Sequence, residues 1–113
     1  MIEEITTLEQ MSALIASKVP TILFKYSPTC GISQVAQEAW ESFSKDPREV
    51  HLAQCDVVQA RPAARGMVEL VGVAHQSPQV LVLQNGTCLA HTSHYSITPA
   101  WLESAVAKLL QAA

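Results

Sequence analysis

Two strand-like runs set between helical patterns, followed by a hairpin signal, predict an α/β fold. Its mixed four-stranded sheet would carry helices on both faces, with a further helix at the N-terminus. Three observations lead to it. Ile32, Val35, Ala36, Ala39, Trp40 and Phe43 recur at helical spacing. QVLVLQ (79–84), Asn85-Gly86 and TCLAHT (87–92) form a strand–turn–strand signature, because Asn-Gly supplies the two positive-φ residues of a tight hairpin. TILFKY (21–26) and HLAQCDVV (51–58) read as strands flanking the first helix.

The remaining elements fall in order along the chain. Thr7 and Gln10 stand in capping-box spacing ahead of Leu8, Met11, Leu14 and Ile15, which predicts a helix to about Lys18, stopped by Val19-Pro20. After the polar SKDPRE turn and the second strand, Pro62 fits a first helical position. Ala64, Met67, Val68 and Val71 continue that helix, and Gly72 closes it. Thr98-Pro99 opens a last helix with Trp101, Leu102, Ala105, Val106, Leu109 and Leu110 on one face. The order α-β-α-β-α-β-β-α is that of a thioredoxin-like fold, expected here as one domain over residues 1–113.

Composition narrows the function classes. The 113 residues are 49% hydrophobic and 15% charged, with a net charge of −3. Lysines and arginines are scattered, so no electrostatic footprint for nucleic acid is present. MIEEITTLEQ lacks the basic start and apolar stretch of a signal peptide, and no run approaches the ~20 apolar residues of a membrane helix. A cytoplasmic location without membrane partners is the expectation. Cys30, Cys55 and Cys88 are odd in number and form no CxxC, so at least one free thiol is expected rather than a disulfide scaffold.

Cys30 lies at a strand-to-helix junction, in Ser27-Pro28-Thr29-Cys30-Gly31-Ile32-Ser33. Unpaired N–H groups and the helix dipole favour an anion at such a position. The thiolate is the nucleophile, and helix N-termini lower a thiol pKa of ~8.5 by roughly 1 to 5 units. The competing reading is a small buried residue that begins a helix. Pro28, Thr29 and Gly31 mark an exposed turn, which favours the reactive thiol. Ser33 occupies the slot where a dithiol enzyme carries its second cysteine, so local resolution is excluded and a mixed disulfide must await an outside thiol. The Ser33 hydroxyl is expected either to donate to the Cys30 sulfur or to bond backbone in the first turn.

A second feature is His75-Gln76-Ser77-Pro78, ahead of QVLVLQ. X–Pro bonds are cis in only ~5–6% of cases, but the thioredoxin fold places a cis-proline here facing the reactive cysteine. Cis is therefore expected for Ser77-Pro78, with His75 close enough to support the Cys30 thiolate. His75, His91 and His94 lack metal-ligand spacing, and no metal site is expected. Cys55 and Cys88 lie in apolar strand runs and are expected to be buried and inert. As a resolving thiol Cys55 is the better candidate of the two, provided it reaches Cys30 within disulfide geometry.

KYSPTCGIS, VGVAHQSPQVLVLQNG and SHYSIT together resemble the monothiol bacilliredoxin family, from about Leu23 to Trp101. That resemblance implies a thioredoxin-like protein acting on bacillithiol, a small thiol that replaces glutathione in some bacteria. Cys30 would attack, Pro78 would be the cis-proline of the substrate groove, and Thr29, Gly31 and Ser33 would complete the active-site turn. It further implies no tightly bound cofactor, bacillithiol as co-substrate, bacillithiolated proteins as partners, and bacillithiol or a reductase for regeneration. Three rivals stay open. One is a dithiol reductase using Cys55 or Cys88, and another is a glutaredoxin-like iron–sulfur module with a small-thiol co-ligand. The third is a non-catalytic adaptor.

Overall fold

The structure is a computed structural model that describes residues 2–28, 31–45 and 49–112. Strand β1 spans Ile2–Glu4, helix α1 Leu8–Ala16, β2 Thr21–Tyr26, α2 Gly31–Ser44 and β3 His51–Asp56. Helix α3 spans Arg61–Val71, β4 Gln79–Gln84, β5 Thr87–Ser93 and α4 Pro99–Ala112, with a short 3-10 turn at His94–Ser96 before the last helix. The sheet has five strands in the order β1-β3-β2-β4-β5. Its β1, β3 and β2 are mutually parallel, while β4 and β5 run antiparallel.

The fifth strand corrects the expected count of four. Three residues, two of them glutamates, carry no strand pattern of their own. Pairing supplies what their sequence lacks: Ile5 N–H donates to Gln54 O at 2.8 Å, and Gln54 Nε2 donates to Glu4 Oε1 at 2.8 Å. Other boundaries shift for equally local reasons. Strand β3 stops at Asp56 because the Asp56 carboxylate accepts the N–H groups of Val58 and Gln59 at 2.9 and 3.1 Å, turning the chain.

The capping box at α1 is complete. Thr7 Oγ1 accepts Gln10 N–H at 3.1 Å, and Gln10 Oε1 accepts Thr7 N–H at 3.2 Å. Gly72 ends α3 at φ +72°, and Asn85 and Gly86 take φ +55° and +81° in the hairpin, as a type I′ turn requires. Thr98 Oγ1 accepts Trp101 N–H at 3.1 Å at the start of α4.

Alternation along each strand divides the core between two faces. Ile22, Phe24, Val80 and Val82 face α2 and α4, where Trp40 is buried and its indole N–H donates to Gln54 Oε1 at 3.0 Å. Leu23, Ala53, Leu81 and Leu83 face α1 and α3, against Met11, Leu14 and Met67. The α2 stripe is narrower than its sequence period suggested. Ala36, Trp40 and Phe43 are buried, Val35 is 55% exposed, and Ser33 takes an inward position instead. The side chain of Leu110 lies outside the described part of α4.

Candidate active site

Four strand positions form a row across one end of the sheet: Cys55 of β3, Lys25 of β2, Gln79 of β4 and Ser93 of β5. Strand β2 runs out there toward α2, β4 begins there just after Pro78, and β5 passes there into the 3-10 turn. The topology thus gathers the Ser27–Ser33 turn, the proline loop and the 3-10 turn at a single end.

Within the first segment, Ser27 N–H donates to Ser33 Oγ at 3.2 Å. Ser33 is fully buried, and this backbone bond is one of the two roles anticipated for it. Pro28 and Gly31 are exposed, and a Cβ built on Gly31 meets nothing within 4 Å. Open space therefore surrounds the first residue of α2. Thr29 and Cys30, the centre of the predicted site, lie outside the described residues.

In the second segment the Ser77–Pro78 peptide is cis. Pro78 is buried, and its carbonyl accepts His94 N–H at 3.0 Å. His94 holds φ +55°, and the 3-10 turn it begins packs against α2. Beside the proline, the buried atoms Ser77 Oγ and His75 Nδ1 have no hydrogen-bond partner among the described residues. Burial lowers the His75 pKa, and the positive charges of Lys25 and Arg65 lower it further. At neutral pH the imidazole is uncharged, so any support it gives a thiolate is a hydrogen bond rather than an ion pair.

His91 sits exposed on β5, opposite Leu81 of β4. Among the described residues, no three His, Cys, Asp or Glu side chains group so as to hold a metal ion.

Sequence reasoning passed over two residues beneath the loop. Lys25 and Gln79 are each 1% exposed, and Lys25 Nζ donates to Gln79 Oε1 at 2.9 Å. The same Oε1 accepts Gln76 N–H at 3.3 Å, while Gln79 Nε2 donates to Ala74 O at 3.2 Å. The signal was available, since a lysine interrupts the apolar run TILFKY. Tyr95, 71% exposed on the 3-10 turn, is the third such residue and offers an aromatic face beside the proline loop.

Cys55 is fully buried, and burial raises its pKa to about 11 although the Lys25 charge pulls the other way. Cys88 is half-buried on β5 rather than buried as expected; partial burial still raises its pKa, and its thiol donates to Ala90 O at 3.3 Å. Both are free thiols held in the protonated, unreactive form at neutral pH. That weighs against either as a resolving cysteine.

A sequence model described as monothiol bacilliredoxin BrxC matches residues 3–102. The chain belongs to the monothiol bacilliredoxin family. Solved structures agree on the fold. A protein of thioredoxin fold superposes with a TM-score of 0.79 at 23% identity, over 92% of both chains. Thioredoxin from Trypanosoma brucei brucei gives 0.78 at 16% identity, over 98% of this chain and 92% of that one. Fasciola hepatica thioredoxin gives 0.74 at 17%, over 95% and 98%. This bacilliredoxin-family chain is a thiol oxidoreductase of thioredoxin fold, and none of its described helices is long and apolar enough to cross a membrane.

Proposed function

We propose that the protein removes bacillithiol from S-bacillithiolated proteins by thiol–disulfide exchange at Cys30. The Cys30 thiolate attacks the bacillithiol sulfur of the mixed disulfide. That S–S bond breaks, the substrate protein leaves as a thiolate and takes up a proton, and a Cys30–bacillithiol disulfide remains. A second bacillithiol thiolate, or a reductase partner, then attacks this disulfide and returns Cys30 to the thiolate, supplying the electrons for the net reduction. The cytoplasm, with its reduced pool of small thiols, is the setting this cycle needs.

The observation that carries the reading is Ser33 in the resolving slot of a family-matched C-G-I-S turn, buried and bonded to Ser27 N–H. Position 33 thus offers a hydroxyl rather than a thiol to collapse the mixed disulfide. Ser77 Oγ and His75 Nδ1, without a hydrogen-bond partner among the described residues, and exposed Tyr95 support the reading as the groups near Pro78 that would meet the small thiol.

The test incubates Cys30→Ala with a bacillithiolated protein and follows the adduct mass. Wild-type protein is expected to strip the adduct and to acquire a bacillithiol mass on Cys30. Undiminished stripping by Cys30→Ala would sink the proposal.

A further inference from the structure

Lys25 stands where a lysine is least expected, on an interior strand, 1% exposed, with an amide oxygen as its hydrogen-bond acceptor. An ammonium carries three donors, and burying one without a compensating anion is unfavourable. The groups facing it are Cys55 from β3, Arg65 from α3, His75 from the proline loop and Gln79 from β4. Cys55 is a neutral thiol at physiological pH, His75 is uncharged and Arg65 repels. Burial draws the Lys25 pKa down to about 8, which still leaves the amine mostly charged at pH 7.

Its position is tied to the reaction in two ways. Through Gln79 Oε1, which also accepts Gln76 N–H, the ammonium fixes the amide that holds the loop carrying Ser77 and Pro78. Along the chain, Cys30 follows five residues later, so even a fully extended segment keeps the two within about 17 Å. The Ser27–Ser33 hydrogen bond ties the end of β2 to the first turn of α2.

We infer that Lys25 is a positioning residue for exchange at Cys30: its buried ammonium orients the Gln79 amide beneath the proline loop and electrostatically favours the thiolate formed at the same end of the sheet. The inference rests on the reading of Cys30 as the attacking thiol. Among the described groups that face Lys25 none is an anion at neutral pH, and a Cys30 thiolate would supply one. At an effective dielectric constant of ~20, a unit charge even ~17 Å away moves a thiol's ionisation midpoint by about 0.7 of a pH unit, and a nearer one by about one unit or more.

The experiment measures alkylation rate against pH at the Cys30 peptide by mass spectrometry, so that Cys55 and Cys88 do not contribute. Wild type, Lys25→Met and Gln79→Glu are compared, each checked for fold by circular dichroism. Lys25→Met removes the charge at similar volume. Gln79→Glu keeps the lysine but places a carboxylate against it, and carries the test if Lys25→Met fails to fold. Wild type is expected to titrate well below an ordinary thiol, and both variants about one pH unit higher. Their exchange rates should fall up to about tenfold at neutral pH and recover toward wild type near pH 9. A depressed wild-type midpoint that neither variant moves would overturn the role of Lys25 and leave the exchange reaction standing. An ordinary wild-type midpoint would overturn both.

Discussion

Side chains at the sheet end divide labour by what burial does to each. Cys55 sits in the same row as Lys25, yet its thiol stays protonated because desolvation outweighs the neighbouring cation. The double variant Cys55→Ala/Cys88→Ala is accordingly expected to keep its exchange rate within about twofold of wild type, since neither thiol is ionised at neutral pH. Trapping an intramolecular disulfide on mild oxidation of the wild-type protein would contradict this. The cavity left by the buried Cys55 sulfur should lower unfolding free energy by about 1 kcal/mol, read from the urea midpoint. Tyr95 presents a different case. An aromatic ring 71% exposed next to the proline loop adds nothing to the core, so Tyr95→Ala is expected to leave the melting temperature unchanged. It should raise KM for a bacillithiolated substrate severalfold, consistent with the loss of ~1 kcal/mol of aromatic contact.

Helices and strands were legible to the degree that each carries its own stabilising pattern. The α1 capping box, the α2 stripe, the Gly72 stop and the Asn85-Gly86 hairpin all announce themselves in a few neighbouring residues, and all are present. Strand β1 does not, because its hydrogen bonds belong to β3, some 50 residues away. Val35 fits the α2 period but faces outward, as Ser33 turns inward to receive the Ser27 N–H. In the site, motif reading anticipated the cis Ser77–Pro78 peptide and, as one of two roles, a backbone-bonded Ser33. Lys25 and Gln79 escaped it, since their pairing depends on strand register. The capping box supplies the element-scale test: Thr7→Ala removes the acceptor for Gln10 N–H and should cost about 1 kcal/mol in urea unfolding, with exchange activity unchanged.

For the molecule as a whole, the buried lysine makes stability depend on pH in an unusual direction. Unfolded Lys25 holds its proton to about 10.5, but in the fold only to about 8. From about pH 8 upward the unfolded chain therefore binds more protons than the native protein, and stability rises. Cys55 works in the opposite sense from pH 9.0, where the unfolded thiol ionises while the native one keeps its proton to about 11. Tyr26 adds to that decline from pH 10.0, its native pKa being raised to about 12 chiefly by burial and then by Glu4 and Asp56. A urea midpoint that climbs between about pH 8 and 9, levels off while Lys25 and Cys55 oppose each other, and falls above about pH 10 is expected for wild type, and the climb should vanish in Lys25→Met. A flat profile in wild type would contradict it.

Lys25 and Gln79 meet across the seam where a parallel neighbour gives way to an antiparallel one, and they lie 54 residues apart in the chain. The turn that carries Cys30 is written into one side of that seam and the proline loop into the other. A nascent or partly melted chain therefore possesses the cysteine long before the proline loop is held against that end of the sheet. Such a chain can be alkylated, but it has no means of telling one disulfide from another. Selective exchange, as proposed, would thus double as a report on closure of the central sheet.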